Sequence, residues 1–304
     1  MCGIVYRKSL DNNDVTTDIV NMYKNQKHRG QDGFGFYLPN KNKTIHRTDE
    51  KSIIDKLRSV SATEVLFHHR YPTSTDNVLN ACHPFRVTID NTDYVVVHNG
   101  YLYNEHELRT QHEQLGYKYT SVQPDGRFND SESLAYDLAL YLSGKQDKLY
   151  AEGAIAFIVY TKDAVYFGRN SSSPLKYHQN DRFITIRSEG KGIDVKTNTL
   201  YRLSNNELTE KYLEVPEYNY TPTWQIKPKA STEVFLEDDE VNQSLDSIQL
   251  ISKEIVDTKR RLRNAIKRND MDMAYSEAWY LDALQDDLEY ITQLTSERLI
   301  NERR

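Results

Sequence analysis

The segment Met1-Cys2-Gly3-Ile4 places a thiol at position two. Initiator methionine is commonly removed before a small residue, and its removal here leaves a thiol and a free α-amine on one residue. An α-amine titrates near 7.7–8.0, so part of it is a free base at neutral pH. A nucleophile activated by its own terminal amine is an established chemical solution. Further on, Lys27-His28-Arg29-Gly30-Gln31-Asp32-Gly33-Phe34-Gly35 sets three glycines within six residues, with Asp32 between them and Arg29 just ahead. His68-His69-Arg70-Tyr71-Pro72-Thr73 follows an apolar run, and Asn80-Ala81-Cys82-His83-Pro84-Phe85 comes next. His98-Asn99-Gly100 ends a second apolar run, and Asn129-Asp130-Ser131-Glu132 opens a helical pattern. His68 and His69 have no Cys or carboxylate cluster at ligand spacing beside them, so no metal is expected. Cys82 lacks an activating neighbourhood and reads as a small buried residue.

Taken in this order, the segments resemble the class II glutamine amidotransferases, N-terminal-nucleophile hydrolases whose glutaminase domains begin Cys-Gly-Ile. The resemblance covers about residues 2–210, with weaker echoes at Arg169-Asn170, Ser173-Pro174-Leu175 and Arg187-Ser188-Glu189. It implies an α+β fold, a four-layer αββα sandwich of two antiparallel sheets between helices. It implies hydrolysis of L-glutamine to glutamate and ammonia, with no cofactor. The family assigns the oxyanion hole to the pair matched by Asn99 and Gly100, the substrate carboxylate to Arg70 and its ammonium to Asp130. Tyr71 and Thr73 are expected to line the pocket. Arg29 and Asp32 are expected to hold the nucleophile loop, with His98 in support.

Each matched residue type suits that chemistry. Attack of a thiolate on an amide builds negative charge on the carbonyl oxygen, and preplaced N–H donors stabilise it. Asn99 offers a side-chain amide, and Gly100 a backbone N–H with no Cβ in the way. Free glutamine carries a carboxylate and an ammonium. Arg70 suits the first because its planar fork binds bidentately, and Asp130 suits the second. Standing alone, Asn99-Gly100 would read as a hairpin turn and Asp130 as a helix N-cap.

Alternating short strands and helices must position these groups. Val65-Leu66-Phe67 and Tyr94-Val95-Val96-Val97 read as strands ending in polar clusters. Residues 131–142 have helical spacing, with Leu134, Leu138 and Leu142 on one face. Residues 154–160 and 164–167 read as a hairpin around Lys162-Asp163, and 183–186 and 199–203 as further strands. The expected organisation is a glutaminase domain over 2–215, a Pro-containing and acidic linker over 216–244, and an α-helical hairpin over 245–304. The last segment has no Gly or Pro. Its first half carries seven basic residues over 253–268, and its second eight acidic residues over 270–297. A solvated hairpin and an oligomerisation or coiled-coil docking element both fit that pattern.

With 304 residues, 38% hydrophobic and 28% charged, the chain has the composition of a globular protein with a sizeable core. A net charge of −6 argues against a broad nucleic-acid face, and no apolar run reaches the ~20 residues of a membrane helix. Two cysteines exclude a disulfide framework, and a usable free thiol points to the cytoplasm. No phosphate-loop or dinucleotide fingerprint follows residue 215, so an acceptor synthase or ligase on a separate chain is the expected partner, with a homo-oligomer through the hairpin as a further possibility. Two other readings stay open: a non-catalytic glutamine-binding scaffold, and an amidohydrolase acting on another amide.

Overall fold

The computed structural model describes residues 2–72, 75–216 and 238–267, together with Glu277, Leu281, Leu284, Gln285, Leu288 and Thr292. Two compact units divide the chain, residues 1–218 and 219–304.

In the first unit, the apolar runs become strands buried on both faces. Seven form one sheet: β1 (Gly3–Ser9), β2 (Phe34–Leu38), β3 (Lys43–Arg47), β4 (Glu64–His69), β9 (Lys176–Gln179), β10 (Phe183–Arg187) and β11 (Ile193–Asp194), in the order β11-β9-β10-β1-β4-β2-β3. Six form the other: β5 (Phe85–Ile89), β6 (Thr92–Leu102), β7 (Gly153–Tyr160), β8 (Val165–Arg169), β12 (Thr199–Ser204) and β13 (Glu207–Tyr212), in the order β13-β12-β8-β7-β6-β5. The pairings in both sheets are antiparallel.

Side chains alternate between the two faces of each strand. Ile4 and Tyr6 of β1 meet Val95, Val97, Ala156 and Ile158 of the opposite sheet in an inter-sheet core. Val5 points outward, into a second core with α1 (Thr16–Asn25) and α2 (Glu50–Arg58). Val96, Ile155, Phe157 and Val159 point outward on the other side, against α4 (Asp130–Leu142) and Leu108 of α3 (Glu105–Gln114). Three cores between four layers make the αββα sandwich, and they explain why β6 and β7 read as near-continuous apolar runs.

Helix α4 starts differently from the sequence expectation. Asn129 is the cap: its backbone is extended (φ −83°, ψ 119°) and its side chain accepts from the Ser131 N–H. Asp130 is the first helical residue, so its carboxylate is left to reach the Leu102 N–H at 2.9 Å. Glu132, one turn in, accepts from the backbone N–H and the hydroxyl of both Thr120 and Ser121, which ties the preceding loop to the helix.

The first unit keeps its chain packed as far as Pro216. Leu213 and Val215 are buried in the outer core, and the Pro216 carbonyl accepts from Asn170. In the second unit, α5 (Asp238–Lys267) begins seven residues before Leu245, so its first turns lie within the stretch that the sequence reads as linker. Arg261 of α5 pairs with Glu277 at 2.9 Å and with Glu254 at 2.9 Å, a link between the basic and acidic halves. The turn expected at Arg268-Asn269-Asp270, most of the linker and most of the acidic helix lie outside the described residues.

Candidate active site

The strand alternation that builds the inter-sheet core also builds the site. Continuing the inward parity of Ile4 and Tyr6 turns Cys2 toward the gap between the sheets. Continuing that of Val95 and Val97 turns Asn99 toward the same gap from the other sheet. Both are buried, Cys2 at 7% exposure and Asn99 at 0%. Arg29, from the short turn after α1, joins them: its Nε donates to the Cys2 carbonyl at 2.9 Å and its Nη2 to Asn99 Oδ1 at 3.5 Å. With Oδ1 held by a cation, Asn99 presents Nδ2 as a donor, and this buried atom has no hydrogen-bond partner among the described residues. The Cys2 Sγ lies 3.4 Å from the Tyr71 N–H and 3.7 Å from its carbonyl, so Tyr71 touches the thiol through its main chain.

Gly100 has to be glycine. Its φ is +147°, and a Cβ would sit 1.6 Å from the Ala154 carbonyl oxygen of β7. Ile155, opposite Gly100, directs its own N–H and C=O to Asn170 on its other side. By the alternation of an antiparallel ladder, the Gly100 N–H therefore points away from β7. It faces the edge that β5 leaves uncovered, since β5 pairing ends at Phe85↔Val96.

Arg70 follows β4 on the inward parity and is 2% exposed. Its guanidinium donates to the Asp76 carbonyl at 2.9 Å, and to the Thr75 carbonyl and hydroxyl. Its own N–H and C=O pair with the Gly33 carbonyl and the Asp32 N–H, which brings Asp32 beside it. Gly30 lets this contact close: a Cβ there would sit 2.5 Å from the Arg70 carbonyl. Burial pulls the guanidinium below its ordinary pKa, opposed by Cys2, Cys82, Asp130 and Asp32. Asp130, 4% exposed, is thus close enough to Arg70 to favour its charge. Thr73, the remaining residue expected to line the pocket, lies outside the described residues.

His98 is a strut. Its Nδ1 meets Ser131 Oγ at 2.8 Å and its Nε2 the Ala154 carbonyl at 3.1 Å, tying β6 to the start of α4 and to β7. Among the described residues, no group of three or more His, Cys, Asp or Glu is placed to hold a metal ion, and no helix is long and apolar enough to cross a membrane.

Sequence reasoning gave no role to Gln26, Ser131 or Ser188. Gln26 joins His69 Nε2 at 3.0 Å to the Glu189 N–H at 3.4 Å, and Ser188 accepts from and donates to the backbone of Ile4. The β1–β10 pairing brings Ser188 and Glu189 beside Ile4 and Gln26, and Ser131 meets His98 where α4 packs on β6, so no spacing signal marks them.

Six buried or largely buried imidazoles, His46, His68, His69, His83, His98 and His112, are pushed below their ordinary value chiefly by burial, His69 to about 3 and His112 to about 4. A histidine depressed in the fold stabilises it fully above the unfolded pKa of ~6.5, and that contribution is lost as pH falls toward the folded value. Three carboxyls raised by burial, Asp137 to about 6 together with Glu64 and Glu277, work in the opposite sense, three groups against six. The melting temperature should hold steady from pH 8 to 7 and fall progressively below 6.5 in thermal melts. An unchanged melting temperature down to pH 5 would show that these rings are not neutral in the fold.

Two antiparallel sheets between helical layers, with a cysteine at the head of β1 facing the gap between them, define an N-terminal-nucleophile hydrolase fold. The same architecture occurs in the glutamine phosphoribosylpyrophosphate amidotransferase of B. subtilis, which superposes with a TM-score of 0.53 at 16% identity over 69% of this chain and 49% of that one. Residues 57–194 match the family described as glutamine amidotransferase domain. The amidophosphoribosyltransferase of Methanocaldococcus jannaschii is 26% identical over 246 residues, 72% of this chain and 51% of the relative. The glutamine–fructose-6-phosphate aminotransferase of Pseudomonas putida is 28% identical over 127 residues, 40% of this chain and 20% of that one. Residues 57–194 thus resemble a class II glutamine amidotransferase domain. The chain spans about half the length of the amidophosphoribosyltransferase it matches.

Proposed function

We propose that the domain hydrolyses L-glutamine to glutamate and ammonia with Cys2 as the nucleophile, and that the ammonia passes to an acceptor enzyme on a separate chain. The observation that carries this reading is the Cys2–Arg29–Asn99 arrangement, in which one guanidinium holds both the residue of a buried thiol and a buried amide donor that has no partner among the described residues. Once Met1 is removed, the Cys2 α-amine takes the thiol proton. The thiolate attacks the side-chain amide carbon, and the oxygen becomes an anion that Asn99 Nδ2 and the Gly100 N–H receive. The C–N bond then breaks, the amine returns the proton to the departing nitrogen, and ammonia leaves a thioester. Water attacks that thioester, the C–S bond breaks, and glutamate is released with the thiol restored. Arg70 and Asp130, one cation and one anion buried near each other, take the carboxylate and ammonium of the substrate and favour a free amino acid over a larger amide.

The test is intact mass together with glutamate release from glutamine. A chain without Met1 that releases glutamate supports the reading. A retained Met1 or no glutamate from purified protein, alone and with its co-purifying partners, overturns it. The cytoplasm, where a free thiol stays reduced, suits this chemistry.

The second unit belongs to assembly in this reading, by self-association or by docking the acceptor enzyme. A chain ended after Tyr218 should keep its basal glutamate release while losing oligomeric mass in light scattering. Loss of folding on truncation would make the second unit part of the catalytic body. Unchanged mass would leave a separate partner as its function.

A further inference from the structure

Glu189, in the segment after β10, sits at the outer end of the arrangement that holds the nucleophile and the amide donor. Its carboxylate pairs with Arg29 Nη1, while the same guanidinium reaches the Cys2 carbonyl and Asn99 Oδ1 through Nε and Nη2. Arg29 is 5% exposed. A buried guanidinium has five donors in a rigid plane, so an anion fixed on one edge sets the direction of the others.

The surroundings show where the Glu189 carboxylate is directed. It borders a cleft of about 430 Å³ whose lining includes two cations, Arg187 and Lys191. The Arg187 guanidinium donates to the Lys191 carbonyl, whereas the Glu189 carboxylate pairs with Arg29 and lies 3.1 Å from His28 Nε2. Partial burial opposes ionisation of Glu189, but Arg29 and His28 outweigh it and hold the carboxyl below its ordinary value. The backbone beneath it is fixed as well. The Glu189 N–H donates to Gln26, Gln26 is joined to His69, and His69 Nδ1 donates to the Gly30 carbonyl. Next to it, Ser188 clamps Ile4 from both sides. A surface charge placed only for solubility needs none of this.

We infer that Glu189 is a positioning residue for glutamine hydrolysis: through Arg29 it fixes the Asn99 amide so that Nδ2 faces the oxygen that becomes anionic. This rests on the proposed glutaminase function. Asn99 Oδ1 is 3.5 Å from Arg29, a long contact that a small rotation of the guanidinium breaks. Without the Glu189 charge, the Arg29 plane loses the anion that sets its direction, and the amide loses its orientation.

The experiment is a double-mutant cycle on the full chain, read as kcat and KM for glutamate release. Glu189→Gln is expected to lower kcat by about tenfold to a hundredfold, with KM within about twofold. That is less than the ~10²–10³ fold expected for removing an oxyanion donor. Combined with Asn99→Ala, it should add nothing, because both act through one donor. Alkylation of Cys2 by iodoacetamide, which uses no oxyanion hole, should proceed at the wild-type rate. Glu189→Asp retains the charge with a shorter reach and should fall between wild type and Glu189→Gln. It also carries the test if the amide variant does not fold. Wild-type kcat in the Glu189 variants, or effects that multiply with Asn99→Ala, overturn the positioning role while the glutaminase function stands. A wild-type chain that releases no glutamate overturns both.

Discussion

Cys2→Ala should leave a folded chain that releases no glutamate from glutamine. The fold is spared because one buried sulfur is lost from the head of β1, while the strand's cores with both neighbouring layers stay intact. Activity disappears because no second thiol can take over. Cys82 is fully buried, its Sγ donates to the Val78 and Arg47 carbonyls, and burial pushes its pKa up. A thiol held that way has little thiolate to offer. Cys2→Ser keeps the α-amine and should give only trace turnover, since a hydroxyl is much harder to deprotonate. Unchanged melting temperatures together with lost activity would support the nucleophile, whereas substantial hydrolysis in Cys2→Ala removes it.

Asn99→Ala and Arg70→Lys should separate chemistry from binding. In the proposed mechanism Asn99 is called on only when the oxyanion forms, so its loss should lower kcat about 10²–10³ fold and leave KM near wild type. Arg70→Lys keeps a charge but loses the planar fork. It also gives up the simultaneous contacts to Thr75 and Asp76, so the 75–76 loop relaxes as the carboxylate subsite loosens. KM should rise more than kcat falls. Steady-state kinetics of glutamate release checks both, and the reverse pattern, Asn99 governing KM, would overturn the assignment.

The residues proposed for the site stand where periodic runs begin or end. Cys2, Arg70, Asn99-Gly100 and Asp130 each do so, and their positions were legible from where the apolar pattern stops. The strands β6 and β7 and helix α4 were legible for the same reason. Helix α3 was not, because its ten residues bury only Leu108 and His112 and its outer face is charged. Strands β9 and β13 have few buried residues and resemble surface loop in composition. The Asn129 cap was displaced by one residue onto Asp130, since both types favour that position and only backbone dihedrals distinguish them. The Arg187-Ser188-Glu189 segment carries no sequence signal for Glu189, because it lies 160 residues from Arg29 and only β10 lying beside β1 joins them.

Cys2 heads a strand of one sheet, and Asn99 and Gly100 belong to the other. The separation between thiol and amide donor is therefore set by the thickness of the layer that Ile4, Tyr6, Val97, Ala156 and Ile158 fill. Protein interiors are close-packed and respond to a single methylene. A core substitution far from the gap, such as Ile158→Ala, should therefore alter the spacing on which the proposed reaction depends as well as the stability of the chain. Sequence drift in that layer is constrained twice, and a variant that regains its melting temperature by repacking the layer with different volumes need not regain its turnover.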